Sequence, residues 1–151
     1  GGWAANYREA LIADFGPGGF QRYGGAGGSD AAVALAQPPL VTGLEEASAQ
    51  AFTQAQVDLV RPAGGLAPGA KWRDGGISWT PETAMFAFAA AGLGDTASAE
   101  RWLNWLNEHR TAAGALPEKV TAEGAPASVA PLAWTCSLVI LALAELRSHQ
   151  P

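Results

Sequence analysis

One carboxylate in this chain stands where water-activating chemistry would want it. The run Gly114-Ala115-Leu116-Pro117-Glu118-Lys119 carries Glu118 directly after a proline, between two helix-forming segments. Proline breaks the helical hydrogen-bond ladder, so Glu118 belongs to a loop and is free to face a cleft. A loop glutamate of this kind can take a proton from water as a general base; it is equally suited to being a solvated surface group. Asp74, in Trp72-Arg73-Asp74-Gly75-Gly76, is the second loop acid. Its plainer reading is a turn aspartate before glycine, paired with Arg73.

Aromatic residues attend both acids. Trp72 and Trp79 bracket a glycine-rich loop, and Trp134, in Ala130-Pro131-Leu132-Ala133-Trp134-Thr135, opens the last helix. Indole faces suit the apolar faces of pyranose rings and leave an N–H for a hydroxyl, although ordinary packing explains a tryptophan just as well. Arg22-Tyr23, in a second glycine loop, can bond ligand hydroxyls or form a structural ion pair. Trp102 and Trp105 fall within an amphipathic helix; Trp102 is expected in the core, and neither is expected to bind. Two histidines and one cysteine show no metal-ligand spacing, so neither a metal nor another cofactor is expected. The glycines between residues 24 and 28 are not followed by the Gly-Lys-Ser/Thr of a phosphate loop, and no Gly-x-Ser-x-Gly elbow occurs.

Five helices and no strands are expected to position these residues. They cover about residues 3–15, 44–61, 80–91, 95–110 and 131–147, with a short helical turn at 31–37 that Pro38-Pro39 stops. Thr80-Pro81 reads as an N-cap and first turn, and Asp95 as the next cap. The third helix is apolar almost all round, from Ala84 to Ala90, and the fifth nearly throughout; such helices are expected to be buried on most faces. The fourth is amphipathic, with Ala99, Trp102, Leu103 and Leu106 on one face. This alternation predicts an all-α fold of about five helices in inner and outer layers, part of an α/α toroid. The long polar loops, 62–77 and 111–130, both precede the apolar helices. In a two-layer ring they lie at one end, and a site forms there.

Composition narrows the partners. The 151 residues suffice for one domain and one core. A formal net charge of -5, with the nine basic residues scattered, argues against nucleic acid or an anionic membrane as partner. The longest apolar stretch, 132–146, falls short of the roughly 18–20 residues that span a bilayer. No targeting segment is visible and the compartment stays open. Cys136 is the sole cysteine, which excludes an internal disulfide, and its apolar helix marks it as a core residue.

Taken together, these loops resemble glycoside hydrolase family 15, the glucoamylases, glucodextranases and related trehalases. The resemblance runs through Gly76-Ile77-Ser78-Trp79-Thr80-Pro81, then Gly114-Ala115-Leu116-Pro117-Glu118, then Pro131-Leu132-Ala133-Trp134, and more loosely Gly19-Phe20-Gln21-Arg22-Tyr23. It implies that residues 1–151 are the C-terminal portion of an (α/α)6 catalytic domain. It also implies inverting hydrolysis of α-glucosidic bonds at non-reducing ends of an oligosaccharide. By position Glu118 matches the general base, Trp134 a pocket tryptophan and Arg22 a substrate-binding arginine. Trp72, Trp79 and Asp74 are the further candidates for substrate contact. Lys119 stands where fungal members often have glutamine, and Gly24-Gly25-Ala26 where a tyrosine and acidic positions are usual.

Six helical hairpins need roughly 350–450 residues. The resemblance therefore implies that the general acid and the rest of the ring lie on a segment upstream of Gly1. An isolated piece of this kind is expected to be inactive, and to self-associate or pair with that missing half. A non-catalytic helical domain that binds sugar or serves assembly is the main alternative. A polysaccharide lyase is a third reading; it would need a tyrosine with a histidine, and Tyr7 and Tyr23 have none nearby in sequence.

Overall fold

The computed structural model describes residues 2–25 and 27–149. Gly1 lies outside them, and so does Ala26, one of the residues compared above with the family loop. The chain is mostly helical. Among the described residues, five α-helices cover Gly2–Phe15 (α1), Glu45–Asp58 (α2), Thr80–Gly92 (α3), Thr96–Glu108 (α4) and Ala133–Ser148 (α5), and the turn before Pro38 is a 3-10 helix, Ala31–Ala36.

α3 is the centre. Every residue from Thr80 to Ala91 is buried, and the helix packs against α4, α5 and the 3-10 helix. Alanine at so many positions lets its neighbours approach closely. At Gly92 even a methyl group is excluded, because an added Cβ would stand 2.3 Å from the Pro38 carbonyl oxygen. Phe86 stacks on Phe52 of α2 with centroids 5.1 Å apart, which ties α2 to this core. In α2 the buried positions are Ser48, Phe52 and Ala55, whereas Ala47 is exposed. Ser48 is accommodated by its hydrogen bonds to Leu44 O (2.8 Å) and Gln37 Nε2 (2.6 Å). α4 turns its apolar face inward as its spacing predicts, with Asp95 accepting from Ser98 N at 3.1 Å as its cap.

Four expectations are corrected. α5 is not enclosed: only Thr135, Leu138 and Ala142 are buried, and Ile140 is 67% exposed. Its apolar character runs all round, but neighbours meet one side only. Thr80 is not a cap. It lies inside α3, and its hydroxyl donates to Pro117 O (2.5 Å) and meets the Thr135 hydroxyl (2.8 Å), fastening α3 to the Glu118 loop and to α5. Strands do occur. Ser78–Trp79 (β1), Lys119–Val120 (β2) and Pro126–Ala127 (β3) form an antiparallel sheet in the order β1-β2-β3, with Trp79 opposite Lys119 and Lys119 opposite Ala127. Each is two residues long, too short for alternation to show in sequence. Cys136 is half-buried against the core rather than enclosed.

Candidate active site

The small sheet joins the two long loops, and this junction positions the candidate residues. Glu118 immediately precedes β2. Its N–H donates to Val129 O (2.8 Å) and its carbonyl accepts from Thr80 N (3.1 Å), so the backbone is held from both sides. Glu118 is half-buried and accepts a hydrogen bond at Oε2 from the Ser128 hydroxyl. Ser128 itself has φ 65°, a left-handed conformation unusual for a residue with a Cβ. That geometry turns its hydroxyl onto the carboxylate.

Trp79 is fixed by β1. Its N–H donates to Leu66 O (2.8 Å), and Leu66 N donates to the Thr83 hydroxyl (3.0 Å), which binds Trp79 O (2.8 Å). Lys119 Nζ sits 4.3 Å from the Trp79 ring centroid, and Trp72 meets Trp79 edge-to-face at 6.0 Å. The Arg22 guanidinium lies 5.7 Å from the Trp72 ring. A continuous series therefore runs from Lys119 beside Glu118 through Trp79 and Trp72 to Arg22. Arg22 is locked from behind: Nε reaches both Asp30 oxygens at 3.0 Å, and Nη2 donates to Pro68 O at 2.5 Å. The ion pair weighed as the alternative for Arg22 is thus formed, and it holds the side chain next to Trp72.

Among the described residues, no ring contact links the remaining candidates to this series. Trp134 occupies the first turn of α5, one residue before Thr135, and is 53% exposed; among the described residues no ring contact joins it to another aromatic. Asp74 is exposed at a turn in which Ile77 N donates to Asp74 O (3.1 Å). Tyr23 is also exposed. Trp102 and Trp105 are core residues whose indole N–H groups bond Gln56 Oε1 (2.9 Å) and Ala63 O (2.7 Å). Trp105 lies so close under the 62–77 loop that a Cβ on Gly65 would come within 2.4 Å of its ring.

Two residues at the junction were not anticipated. Ser128 lay in a loop with no motif to mark it. Glu82, in the first turn of α3, is buried, and burial pushes its carboxyl above the ordinary 4.5, with the Glu118 and Asp30 charges acting in the same direction. Its own backbone N–H and the Arg22 charge oppose the rise. The available signal was that this glutamate is the one charged residue of α3.

A groove of about 580 Å³ is lined by the glycine loops around Gln21 together with Gln50, Gln54 and Asp58, and by none of the residues at the junction. Among the described residues, no three His, Cys, Asp or Glu side chains gather as metal ligands, and no helix is long and apolar enough to cross a membrane.

Comparison with known proteins bears on this arrangement. No family model matches the chain, and no curated protein does. Solved structures do. A wild-type glycosidase superposes with a TM-score of 0.74 at 24% identity, over 95% of this chain and 43% of its own. A glutamate-to-alanine variant of a glycosidase in complex with glucose gives 0.74 at 23% identity over the same shares. The chain shares its fold with solved glycosidases. It spans 43% of the length of those glycosidase chains.

Proposed function

We propose that residues 1–151 are the C-terminal portion of an (α/α)6 glycoside hydrolase catalytic domain of the glucoamylase and glucodextranase kind, with Glu118 as general base. The observation that carries this reading is the fixation of Glu118. Its backbone is bonded on both sides, its carboxylate is held by Ser128, and it stands at the end of a series of aromatic and cationic side chains. The shared glycosidase fold supports it, and the glucose bound to one of those glycosidases supports a glucoside as substrate.

In this reading Glu118 takes a proton from water, whose oxygen attacks the anomeric carbon from the face opposite the leaving oxygen. The glycosidic C–O bond breaks as a general acid, on the part of the domain outside this chain, delivers its proton to the leaving oxygen. The products are a sugar of inverted anomeric configuration and the freed alcohol. Trp79 and Trp72 offer faces and edges to the sugar, Arg22 a cation beside Trp72, and Trp134 an exposed indole that the completed site would take up. Asp74 belongs to the outer rim.

Glu118→Gln in the complete polypeptide, assayed on maltose, isomaltose and trehalose, tests the assignment. Removal of a general base costs about 10²- to 10⁴-fold in rate. Unchanged hydrolysis of all three sugars would sink it.

The open face of α5 favours a second reading, a non-catalytic helical domain that binds sugar or serves assembly. Ile140, Leu141 and Leu143 are exposed on one helix, an apolar surface of the kind that usually meets a partner. In the first reading that face meets the rest of the barrel; in the second it meets another copy. Light scattering across a concentration series separates them: growth in mass for the complete polypeptide, with no hydrolysis, favours the second.

A further inference from the structure

The groove along α2 takes no part in the hydrolysis proposed for Glu118. Its volume of about 580 Å³ falls within the roughly 300–1,000 Å³ of ligand sites. One wall is the outer face of α2, where Gln50, Gln54 and Asp58 recur at every fourth position and are all exposed. At roughly 1.5 Å of rise per residue they form a row about 12 Å long. The opposite wall is the glycine loops. A Cβ on Gly19 would stand 3.6 Å from Ala51, and Gly27 and Gly28 hold left-handed backbone at φ 73° and 83°. Gln21 braces that loop from within: it is buried, donates to Gly28 O and accepts from Gly27 N at 2.9 Å.

The two walls are joined at Asp58. Ser29 Oγ donates to its Oδ2 (2.7 Å) and Gln54 Nε2 to its Oδ1 (2.7 Å). These bonds, Ser29 foremost, hold the Asp58 carboxyl below its ordinary 3.8, so it stays an acceptor, and each oxygen keeps a lone pair for a ligand hydroxyl. The Gln50 side chain makes no hydrogen bond among the described residues and offers a donor and an acceptor to the same row. No cationic side chain lines the groove to balance an anion, and no aromatic side chain lines it. A single carboxylate with both oxygens engaged is not a cage for a cation. These groups suit a neutral ligand rich in hydroxyls, and the length of the row suits one longer than a single sugar ring.

We propose that this groove binds a neutral α-glucan chain through Gln50, Gln54 and Asp58, a second contact with the polymer on whose end Glu118 acts. This rests on the glycosidase reading. A chain held at the groove raises the effective concentration of its own end, so the benefit falls on long substrates and not on disaccharides.

Calorimetric titration of the complete polypeptide with maltoheptaose and with isomaltoheptaose tests this, in the Glu118→Gln background so that the probes survive. Two binding events per chain are expected with at least one of them. Gln54→Ala combined with Asp58→Ala should weaken one event at least about tenfold and leave the other as it was. Gln50→Arg fills the groove from an exposed position and should do the same, which keeps the question decidable if the double variant fails to fold. With Glu118 restored, both groove variants should raise KM on the heptasaccharide severalfold and leave the hydrolysis of maltose and isomaltose unchanged. One binding event per chain with both probes, or two that neither variant alters, overturns the inference and leaves the role of Glu118 standing. If Glu118→Gln hydrolyses both probes at the wild-type rate, the glycosidase reading falls and the inference with it.

Discussion

α3 and α5 read almost alike in sequence and end in opposite environments. Both are apolar nearly all round, yet α3 is buried at every position from Thr80 to Ala91 while α5 buries three residues and exposes Ile140, Leu141 and Leu143. Hydrophobicity states that a helix needs neighbours on all sides; it does not state whether the same stretch of chain supplies them. α3 finds α2, α4, α5 and the 3-10 helix around it. α5 finds α3 and part of α4, and its outer side is the surface that the proposed barrel would cover.

The sharpest way to break this contrast is a matched pair of truncations. Phe86→Ala on α3 is expected to cost about 3–5 kcal/mol in denaturant unfolding, because it empties a fully buried site stacked on Phe52. Ile140→Ala on α5 should stay within about 0.5 kcal/mol. An equal cost at Ile140 would mean that its face is covered in solution.

The joint between the two helices comes next. Thr135→Val keeps the shape but removes one partner of the buried Thr80 hydroxyl, with an expected loss of about 1–3 kcal/mol in the same assay. No loss would show that Thr80 is satisfied by Pro117 O alone.

Ser128→Gly probes the segment that leads into α5. Glycine relieves the left-handed backbone, worth about 1 kcal/mol, and deletes the hydroxyl that holds Glu118. A gain in thermal stability is expected, and, in the complete hydrolase proposed above, a fall in hydrolysis. Lower stability would show that the hydrogen bond outweighs the strain.

The gentlest comparison concerns charge. Glu82 on α3 is buried, whereas Glu145 on α5 is half-buried in a 3.4 Å pair with His149. The Glu82 carboxyl is raised above its ordinary 4.5, so between that value and its folded value the native state holds the proton and the unfolded state does not. Stability is therefore complete below 4.5 and declines as pH rises through the folded value. Glu82→Gln should abolish that decline in a series of thermal melts. Identical profiles for wild type and Glu82→Gln would refute the burial effect.

Which parts of the molecule were legible follows from the length scale of each signal. Helices of 13 to 16 residues leave several periods of apolar spacing, so all five were readable to within a few residues. Two-residue strands leave none, and the sheet that sets Trp79 against Lys119 was invisible. The loop position of Glu118 was legible through its proline. Ser128 and Glu82 were not legible, because one depends on a backbone angle and the other on how deeply the head of α3 is sunk.

By itself the sequence determined the helical composition, the buried character of α3, the inward face of α4, and a carboxylate on the loop before α5. These rest on local propensity and on periodicity within one segment. Tertiary structure alone decided that the two long loops meet in a sheet, that Arg22 is backed by Asp30, that Ser128 holds Glu118, that Glu82 is buried near it, and that α5 keeps an open face. Each of these requires contacts between residues distant along the chain, or the absence of such contacts, and a linear pattern does not specify which distant segments come together.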